Sequence, residues 1–296
     1  MEQTKKRRKV KKSTSEIVTL SIFFVVILAW CISFIYMGVW AFLNSLKNYY
    51  DFFEDTLGLP KSPLQWANYG KAFTNLRDGN ATVFTMAWNT IWMAFLGSFV
   101  NIMSSMLVAY VVSKFRFPGR NFIYMLAIFV QVVPIIGSGS SSYKLHFEWG
   151  LLNNPTLIWI AWANGFDFAF LVLYGYFASV SNFYSEAAEI DGANEFTIMF
   201  RIVVPQAMPA VLSLTLLQLI GMWNNYNISL MYMTKYPSLA YGIYIFKQIS
   251  QYNISESGGT PVYLALVLMS MIPVLTVYAL FQKTIFNNVS VGGLKG

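Results

Sequence analysis

Residues 185–209 read SEAAEIDGANEFTIMFRIVVPQAMP and differ in character from the rest of the chain. This stretch holds four of the thirteen acidic residues, together with a glycine and two prolines, whereas 56% of all residues are hydrophobic and only 11% are charged. Soluble domains carry roughly 25% charged residues. The composition therefore indicates a membrane protein, and the acidic stretch indicates a polar segment set between membrane spans.

Six long intervals outside this stretch or overlapping its end are nearly free of charge. Each supplies the roughly 20 apolar residues that a helix needs to cross a hydrocarbon core of about 30 Å. They lie at about residues 17–43, 83–113, 121–138, 156–181, 203–226 and 261–281. Backbone amides in lipid must bond within their own segment, and these runs lack the polar alternation of barrel strands. We therefore expect an all-α membrane protein with six transmembrane helices.

Lysine and arginine are unequally distributed between the two sides of these spans. The tail KKRRKVKK (residues 5–12), the connection 113–120, the acidic stretch and the C-terminus place thirteen basic residues on one side, against seven on the other. The positive-inside rule puts the more basic side in the cytoplasm. We therefore expect both termini and the acidic stretch to be cytoplasmic, in a multi-pass protein.

The chain then divides into three parts. Residues 1–16 form a basic cytoplasmic tail, residues 17–281 the six-helix domain, and residues 282–296 a second cytoplasmic tail. The basic tail has the composition of a nuclear signal or a nucleic-acid patch, but such a cluster directly before a transmembrane helix is an orientation determinant attracted to anionic lipid. We therefore expect membrane lipid as a partner and no nucleic acid.

The chain lacks the patterns of nucleotide-binding and metal-dependent enzymes. No G-x-x-x-x-G-K-[ST] loop occurs, because Gly70-Lys71 has neither the upstream glycine nor the following hydroxyl. Paired histidines and CxxC are also missing; His146 stands alone in a predicted outer loop, and the single Cys31 cannot form an internal disulfide. We therefore predict no enzymatic site, no metal and no cofactor bound by this chain.

Side chains in the first half of the acidic stretch predict a short helix and a turn. Ser185 is the predicted N-cap, with Glu186 and Glu189 in the first turn, where the helix dipole favours acids. Asp191-Gly192 should end this helix, because glycine adopts backbone angles that other residues resist. The sequence thus predicts a helix that stops at Gly192.

The second half of the stretch predicts another helix. Asn194 can cap it, and Phe196, Met199 and Phe200 are spaced to share one face. Pro205 is expected to stop or redirect it. The result is a short cytoplasmic helix-turn-helix between the fourth and fifth spans. It is either a docking surface for a partner protein or an ordinary amphipathic loop on the membrane surface.

The same stretch resembles the E-A-A-x3-G-x9-I-x-L-P loop of binding-protein-dependent ABC importer permeases. The matching positions are Glu186, Ala187, Ala188, Gly192, Ile202 and Pro205, and Val204 replaces the usual leucine. The segments GLLNN before the fourth span, WNNYNISLMYM after the fifth and FQKTIFNNVSVGGLKG at the end are similar to the carbohydrate branch. Within that branch the chain resembles the second, six-span permease subunit of maltose-type transporters.

This resemblance implies that residues 185–204, here called the coupling segment, fit a cleft on an ATP-hydrolysing subunit. The implied coupling residues are Glu186, Ala187, Ala188, Asp191, Gly192, Ile202 and Pro205. Gly292, Gly293 and Lys295 are implied to reach the same ATPase pair. We expect closure of the ATPases to move the coupling segment, and Pro205 and Pro209 to pass the shift to the fifth helix.

The resemblance also implies a location in the bacterial inner membrane and a set of partners. The partners are two ATP-binding cassette subunits, which carry ATP and Mg, a second and different permease, and an extracellular or periplasmic solute-binding protein. The nearly uncharged spans favour a neutral, hydroxylated cargo over a strongly ionic one. A sugar or oligosaccharide importer is therefore the leading hypothesis. An importer for another neutral solute, such as an amino acid or peptide, and a six-span receptor or scaffold stay open.

Several polar and aromatic residues are candidates for a substrate path. They are Gln131, Asp167, Trp223, Asn224, Asn225 and Tyr226. Amides and aromatic rings are the groups that hold sugars, although tryptophan and tyrosine also form the interfacial belt of membrane proteins. Asp167 is expected near the middle of the fourth helix, where a carboxylate is costly and indicates either transport or a polar contact between helices.

Overall fold

The computed structural model describes residues 13–61, 63–133, 137–252 and 258–289, and this part of the chain is mostly helical. The helices are α1 Thr14–Ser45, α2 Tyr49–Glu54, α3 Ala67–Asn75, α4 Val83–Lys114, α5 Arg120–Val132, α6 Gly139–Glu148, α7 Trp159–Trp162, α8 Phe168–Ser179, α9 Asn182–Ile190, α10 Glu195–Ile198, α11 Val204–Trp223, α12 Leu239–Tyr252 and α13 Gly259–Val289. Two π-helical turns, Met199–Val203 and Ile228–Tyr232, and a hairpin of β1 Arg77–Asp78 with β2 Ala81–Thr82 complete it. The basic tail KKRRKVKK and the residues Gly292, Gly293 and Lys295 lie outside the described residues.

Four helices in the described part of the chain are long and apolar enough to cross a membrane. They are α1, α4, the continuous helix Glu195–Trp223, and α13 from Gly259 to Gln282. The other two predicted spans contain shorter apolar helices, α5 with 13 residues and α8 with 12. At 1.5 Å per residue these reach about 20 Å and 18 Å, less than the hydrocarbon core. The helical fold class is confirmed, and the count of six spans stays a prediction.

The fourth predicted span, residues 156–181, is not one helix. The short α7 is followed by non-helical residues 163–167, and only then does α8 begin. The Asn164 side chain accepts a hydrogen bond from the amide of Phe166 (3.2 Å), which stabilises a turn in place of a helix. The expectation that Asp167 lies in the middle of a continuous helix was therefore wrong, because Asp167 is the N-cap residue of α8.

The helix that contains Pro205 continues through it. The prediction that Pro205 stops this helix was wrong, because a continuous helix runs from Glu195 to Trp223; that Pro205 redirects it stays a prediction. A π-helical turn, Met199–Val203, directly precedes α11, and Pro205 occupies one of the first positions of α11. A wider turn at this point accommodates a residue that has no backbone N–H to donate.

The centre of the bundle is α4, which packs against α7, α8, α11 and α12. Its buried side includes many small residues, among them Ala94, Gly97, Ser105 and Ala109. A methyl group at Gly97 would overlap the Met222 side chain of α11. Small residues let transmembrane helices approach closely, so α4 is the element around which the others pack.

The first helix lies at the periphery of the described chain. Its main packing partner is α13, and its most apolar stretch has no residue buried inside the structure. Large apolar side chains such as Phe24, Trp30 and Ile35 are exposed along it. This surface is therefore left to lipid or to another subunit.

The two ends of the bundle carry different elements. The coupling end holds α9, α10 and the last turn of α4, whereas the opposite end holds α3, the hairpin, α6 and α12. Because α4 begins directly after β2 and ends at Lys114, it reaches from one end to the other. The candidate functional residues lie at the coupling end, at the break in the fourth span and after α11.

Candidate functional site

The first helix of the coupling segment begins earlier than its sequence predicts. It starts at Asn182, and the Ser181 hydroxyl accepts a hydrogen bond from the amide of Phe183 (3.3 Å). The prediction of Ser185 as the N-cap was wrong. Ser185 lies inside α9, and its buried hydroxyl has no hydrogen-bond partner among the described residues. Glu186 consequently lies beyond the first turn, contrary to expectation.

Packing against α4 fixes this earlier start. The Lys114 ammonium group donates to the Val180 carbonyl (2.6 Å) and to the Asn182 side-chain oxygen (3.1 Å). These bonds hold the chain at the point where α8 ends and α9 begins. A long-range contact of this kind is not readable from local capping signals, so the sequence placed the helix start one turn too late.

The turn predicted at Asp191-Gly192 is present. Gly192 has φ +83°, and its amide donates to the Glu189 carbonyl (3.0 Å), while the Ala193 amide donates to the Ala188 carbonyl (2.9 Å). This pair of bonds is a Schellman motif, in which the residue with positive φ is usually glycine. Gly192 therefore determines how α9 ends and how α10 is set relative to it.

The predicted second helix is capped as expected, and only part of its predicted apolar face is buried. The Asn194 side chain accepts from the amide of Thr197 (2.9 Å). Ile198 and Met199 are buried, whereas Phe196 is 70% exposed and Phe200 is also exposed. Of the three residues predicted to share a face, only Met199 is buried, because the helix turns Ile198 and Met199 toward the core formed with α4 and α8.

The outward side of α9 carries an apolar pattern that sequence reasoning missed. Phe183, Glu186, Ala187 and Ile190 follow the i, i+3, i+4, i+7 spacing of one helix face, and all four are exposed. Phe183 is 71% and Ile190 87% exposed. We call these four residues the docking stripe. Helices normally bury such a face, and the signal in the sequence was the presence of large apolar residues within its most acidic stretch.

The remaining predicted coupling residues have mixed environments. Ala188 is half-buried against the core, Asp191 and Pro205 are exposed, and Ile202 is half-buried. A cavity of about 280 Å³ between α9, α10 and the end of α4 is lined by Glu186 and Glu189 of α9 and by Arg116, which follows α4. A polar layer therefore separates part of α9 from α4, whereas Phe183 and Ile190 of the docking stripe are exposed.

Two predicted path residues meet at the break in the fourth span. Asp167 Oδ1 accepts from the amide of Phe170 (3.0 Å) and lies 2.8 Å from Ser105 Oγ on α4. The Gln131 side chain donates to the Phe166 carbonyl (2.9 Å). Ser105 Oγ also lies 2.9 Å from the Asn164 carbonyl. Helices α4 and α5 thus hold the non-helical residues by polar contacts from two sides.

The other four path candidates lie apart from this break, at and after the end of α11. Trp223 is only 7% exposed and belongs to a core cluster with Leu219 and Val262. Tyr226 stacks on Tyr244, with ring centroids 4.6 Å apart. The Asn224 and Asn225 side chains bond to nearby backbone. The structure brings Gln131 and Asp167 together but does not join Trp223, Asn224, Asn225 or Tyr226 to them.

The cap made by Asp167 leads to a stability prediction. We expect Asp167→Ala to lower the free energy of unfolding by about 1 kcal/mol, because the first turn of α8 loses its side-chain acceptor. Asp167→Asn keeps an acceptor oxygen and should unfold close to wild type. Thermal unfolding of the purified protein in detergent measures the difference. Equal stability of the alanine variant and wild type would contradict a structural role for the carboxylate.

A family model for the binding-protein-dependent transport system inner membrane component matches residues 101–289. The chain belongs to this family. The permease is 27% identical over 276 residues to the diacetylchitobiose uptake system permease protein NgcG of Streptomyces coelicolor, covering 90% of this chain and 86% of the relative. It is 29% identical over 223 residues to the polygalacturonan/rhamnogalacturonan transport system permease protein YtcP of Bacillus subtilis, covering 70% and 75%.

The fold of the permease also has a solved counterpart. It matches a chain in the crystal structure of a bacterial ABC transporter involved in the import of the acidic polysaccharide alginate. The TM-score is 0.73 at 25% identity, and the match covers 93% of this chain and 99% of the other. The resemblance stated from the E-A-A loop is thereby confirmed, and the family is one of transport components of the inner membrane and not of enzymes.

Proposed function

We propose that this permease is one transmembrane subunit of an ATP-driven importer that takes up a sugar or oligosaccharide delivered by a solute-binding protein. The observation that carries this proposal is the similarity to carbohydrate permeases over most of the chain, 90% of it for the diacetylchitobiose relative. The structural likeness to the alginate importer supports the same class of cargo. The chain itself then catalyses no reaction and provides part of the path.

The energy for transport comes from partner subunits in this proposal. The chain has no nucleotide loop, so two ATP-binding cassette subunits would bind ATP and Mg and hydrolyse the ATP. The docking stripe supports this assignment, because exposed apolar residues in an otherwise polar segment mark a protein interaction site. Glu186 and Ala187 of the E-A-A loop lie on the stripe beside Ile190.

The break in the fourth span is the proposed part of the substrate path. Asp167 caps the start of α8, which has 12 residues and is therefore about 18 Å long. If α8 ends at one surface of a membrane core about 30 Å thick, Asp167 lies near the middle of that core. Discontinuous helices border substrate sites in other transporters, and non-helical backbone at this depth is tolerated where it lines a cavity. Gln131 and Asp167 would there face a hydroxylated cargo.

The arrangement in the membrane is also part of the proposal. Both termini and the coupling segment face the cytoplasm, as the distribution of lysine and arginine favours. A second, different permease completes the pore, and the exposed apolar surface of α1 is available to lipid or to this subunit. The solute-binding protein would dock at the opposite end of the bundle, which carries α12.

The test is reconstitution of the complex encoded by this and neighbouring reading frames. We expect two ATPase subunits and a second permease to co-purify with the chain. In liposomes, the binding protein loaded with an oligosaccharide should stimulate ATP hydrolysis several-fold, whereas amino acids and peptides should not. Stimulation by amino acids or peptides alone would replace the sugar assignment, and the absence of any bound ATPase would point to a receptor or scaffold.

A further inference from the structure

Helix α4 is hydrogen-bonded to the coupling segment at one of its ends. Tyr110, which is only 4% exposed, donates from its hydroxyl to Glu195 Oε2 of α10 (3.0 Å). One turn later, Lys114 donates to the Val180 carbonyl (2.6 Å) and to Asn182 of α9 (3.1 Å). Hydrogen bonds to charged groups are shorter and roughly twice as strong as neutral ones. The last turn of α4 therefore holds both helices of the coupling segment.

The same helix is hydrogen-bonded to a loop at the opposite end. The Asn89 side chain donates to the Pro237 carbonyl (3.0 Å), and the amide of Leu239 donates to the buried Thr90 hydroxyl (2.7 Å). Leu239 is the first residue of α12. The start of α12 is therefore attached to α4 by two bonds between residues almost 150 positions apart in the sequence.

The middle of α4 contacts the break in the fourth span. Ser105 Oγ lies within hydrogen-bond distance of both Asn164 and Asp167, as described above. One unbroken helix of 32 residues, about 48 Å long, thus reaches the coupling segment, the proposed substrate path and α12.

The alternative route, along α11, has a different mechanical character. Its connection to α10 is continuous but passes through the π-helical turn Met199–Val203 and then Pro205. Such features mark hinges and kinks in helices. The side chains of Gln206 and Ser213 on α11 donate to the carbonyls of Ile202 and Pro209, which belong to the same continuous helix. This route therefore contains features typical of a hinge, whereas α4 has no proline or π-helical turn and makes polar contacts at both ends.

We propose that α4 carries the displacement of the coupling segment to the break in the fourth span and to α12, and that Tyr110 and Lys114 are the positioning residues that attach α4 to the coupling segment. This inference rests on the proposed function and deepens it, since it names how the ATPase movement reaches the opposite end. Without the Tyr110–Glu195 bond only the Lys114 bonds and the apolar packing attach α4, so α4 follows the segment less closely.

The experiment measures the movement of α4 in the assembled complex. Spin labels are placed on cysteines introduced at Trp88, near the opposite end of α4, and Met37 of α1, both exposed, with Cys31→Ser to remove the native thiol. The distance between the two labels is measured by double electron–electron resonance, first without nucleotide and then after trapping with ATP, Mg and vanadate. We expect a nucleotide-dependent shift between these labels, and a smaller shift in Tyr110→Phe and equally in Glu195→Ala, which removes the acceptor oxygens.

Two controls separate coupling from folding. Tyr176→Phe removes a hydroxyl that makes no hydrogen bond within the described part of the chain, near the same end of the bundle, and should keep the full shift. Lys114→Arg keeps a cationic donor and should retain the shift that Lys114→Met loses. In the double variant of Tyr110→Phe with Glu195→Ala the reduction should match that of either single variant, because each change removes the same hydrogen bond.

The outcomes distinguish this inference from the proposed function. A shift that is absent in the assembled wild-type complex, or that persists unchanged in Tyr110→Phe and Glu195→Ala, overturns the role of α4 while the importer assignment stands. A variant complex that retains its ATPase subunits but loses part of the nucleotide-dependent shift supports the inference. Failure of the wild-type chain to retain any ATPase subunit removes the proposed function, and the inference with it.

Discussion

Replacing Gly192 by valine is expected to lower ATP-driven uptake by at least about tenfold while the protein still inserts in the membrane. Gly192 has φ +83°, and nothing lies within 4 Å of where its Cβ would be, so the effect acts through the backbone alone. A left-handed conformation costs an ordinary residue about 1–2 kcal/mol, and more for a β-branched one. A cost of about 1.4 kcal/mol for this backbone conformation already reduces the population of the turn at Gly192 tenfold.

The matched variant is Gly192→Asn. Asparagine adopts the left-handed region several-fold more often than most residues, so this variant should transport close to the wild-type rate. Both variants have a side chain in the same open space, and only the backbone preference differs. Uptake into liposomes, with the assembly of the complex checked by co-purification, gives the comparison. Wild-type uptake by an assembled Gly192→Val complex would remove the coupling role of this turn.

The parts of the fold that were predicted correctly depend on local chemistry. Long apolar intervals predicted the helices, because lipid forces each backbone amide to bond within its own segment. The turn at Gly192 and the cap at Asn194 were also predicted, since glycine and asparagine have strong local preferences. Segment 185–204 was recognised from six matching positions at fixed spacing.

The parts that were predicted wrongly depend on contacts between distant segments. Ser185 has a good local capping signal, but Lys114, more than 60 residues away, fixes the helix start at Asn182. The break before Asp167 lies in an apolar run that has no proline, and it is held in place by Ser105 and Gln131 from other helices. The spacing of residues along one sequence does not show that Lys114 contacts Asn182, or that Ser105 and Gln131 contact the break.

The docking stripe shows a second limit of prediction from sequence. Periodicity identifies an apolar face but does not say whether the protein itself covers that face. The spacing placed Phe196 and Met199 on one face, but Phe196 is exposed whereas Met199 is buried. In the structure the uncovered face of α9 carries Ile190, which the sequence alone did not single out, and this residue gives the most direct test of docking.

Ile190→Asp is expected to abolish co-purification of the ATPase subunits without affecting the fold of the permease. Ile190 is 87% exposed, so its replacement changes no buried contact of this chain. Burying an isoleucine side chain at an interface contributes about 1.5–3 kcal/mol, and an unpaired carboxylate in the same place costs more. The combined loss corresponds to well over a tenfold weaker association.

Tyr252→Asp is the control for this change. Tyr252 is also 87% exposed but lies at the end of α12, on the opposite end of the bundle. Both variants exchange an exposed hydrophobic residue for a carboxylate, so a general effect on solubility or insertion would affect them equally. Affinity purification of the permease should retain the ATPase pair with Tyr252→Asp and lose it with Ile190→Asp. If both variants keep the pair, the docking stripe is not the ATPase contact, and the importer must use another part of the coupling segment.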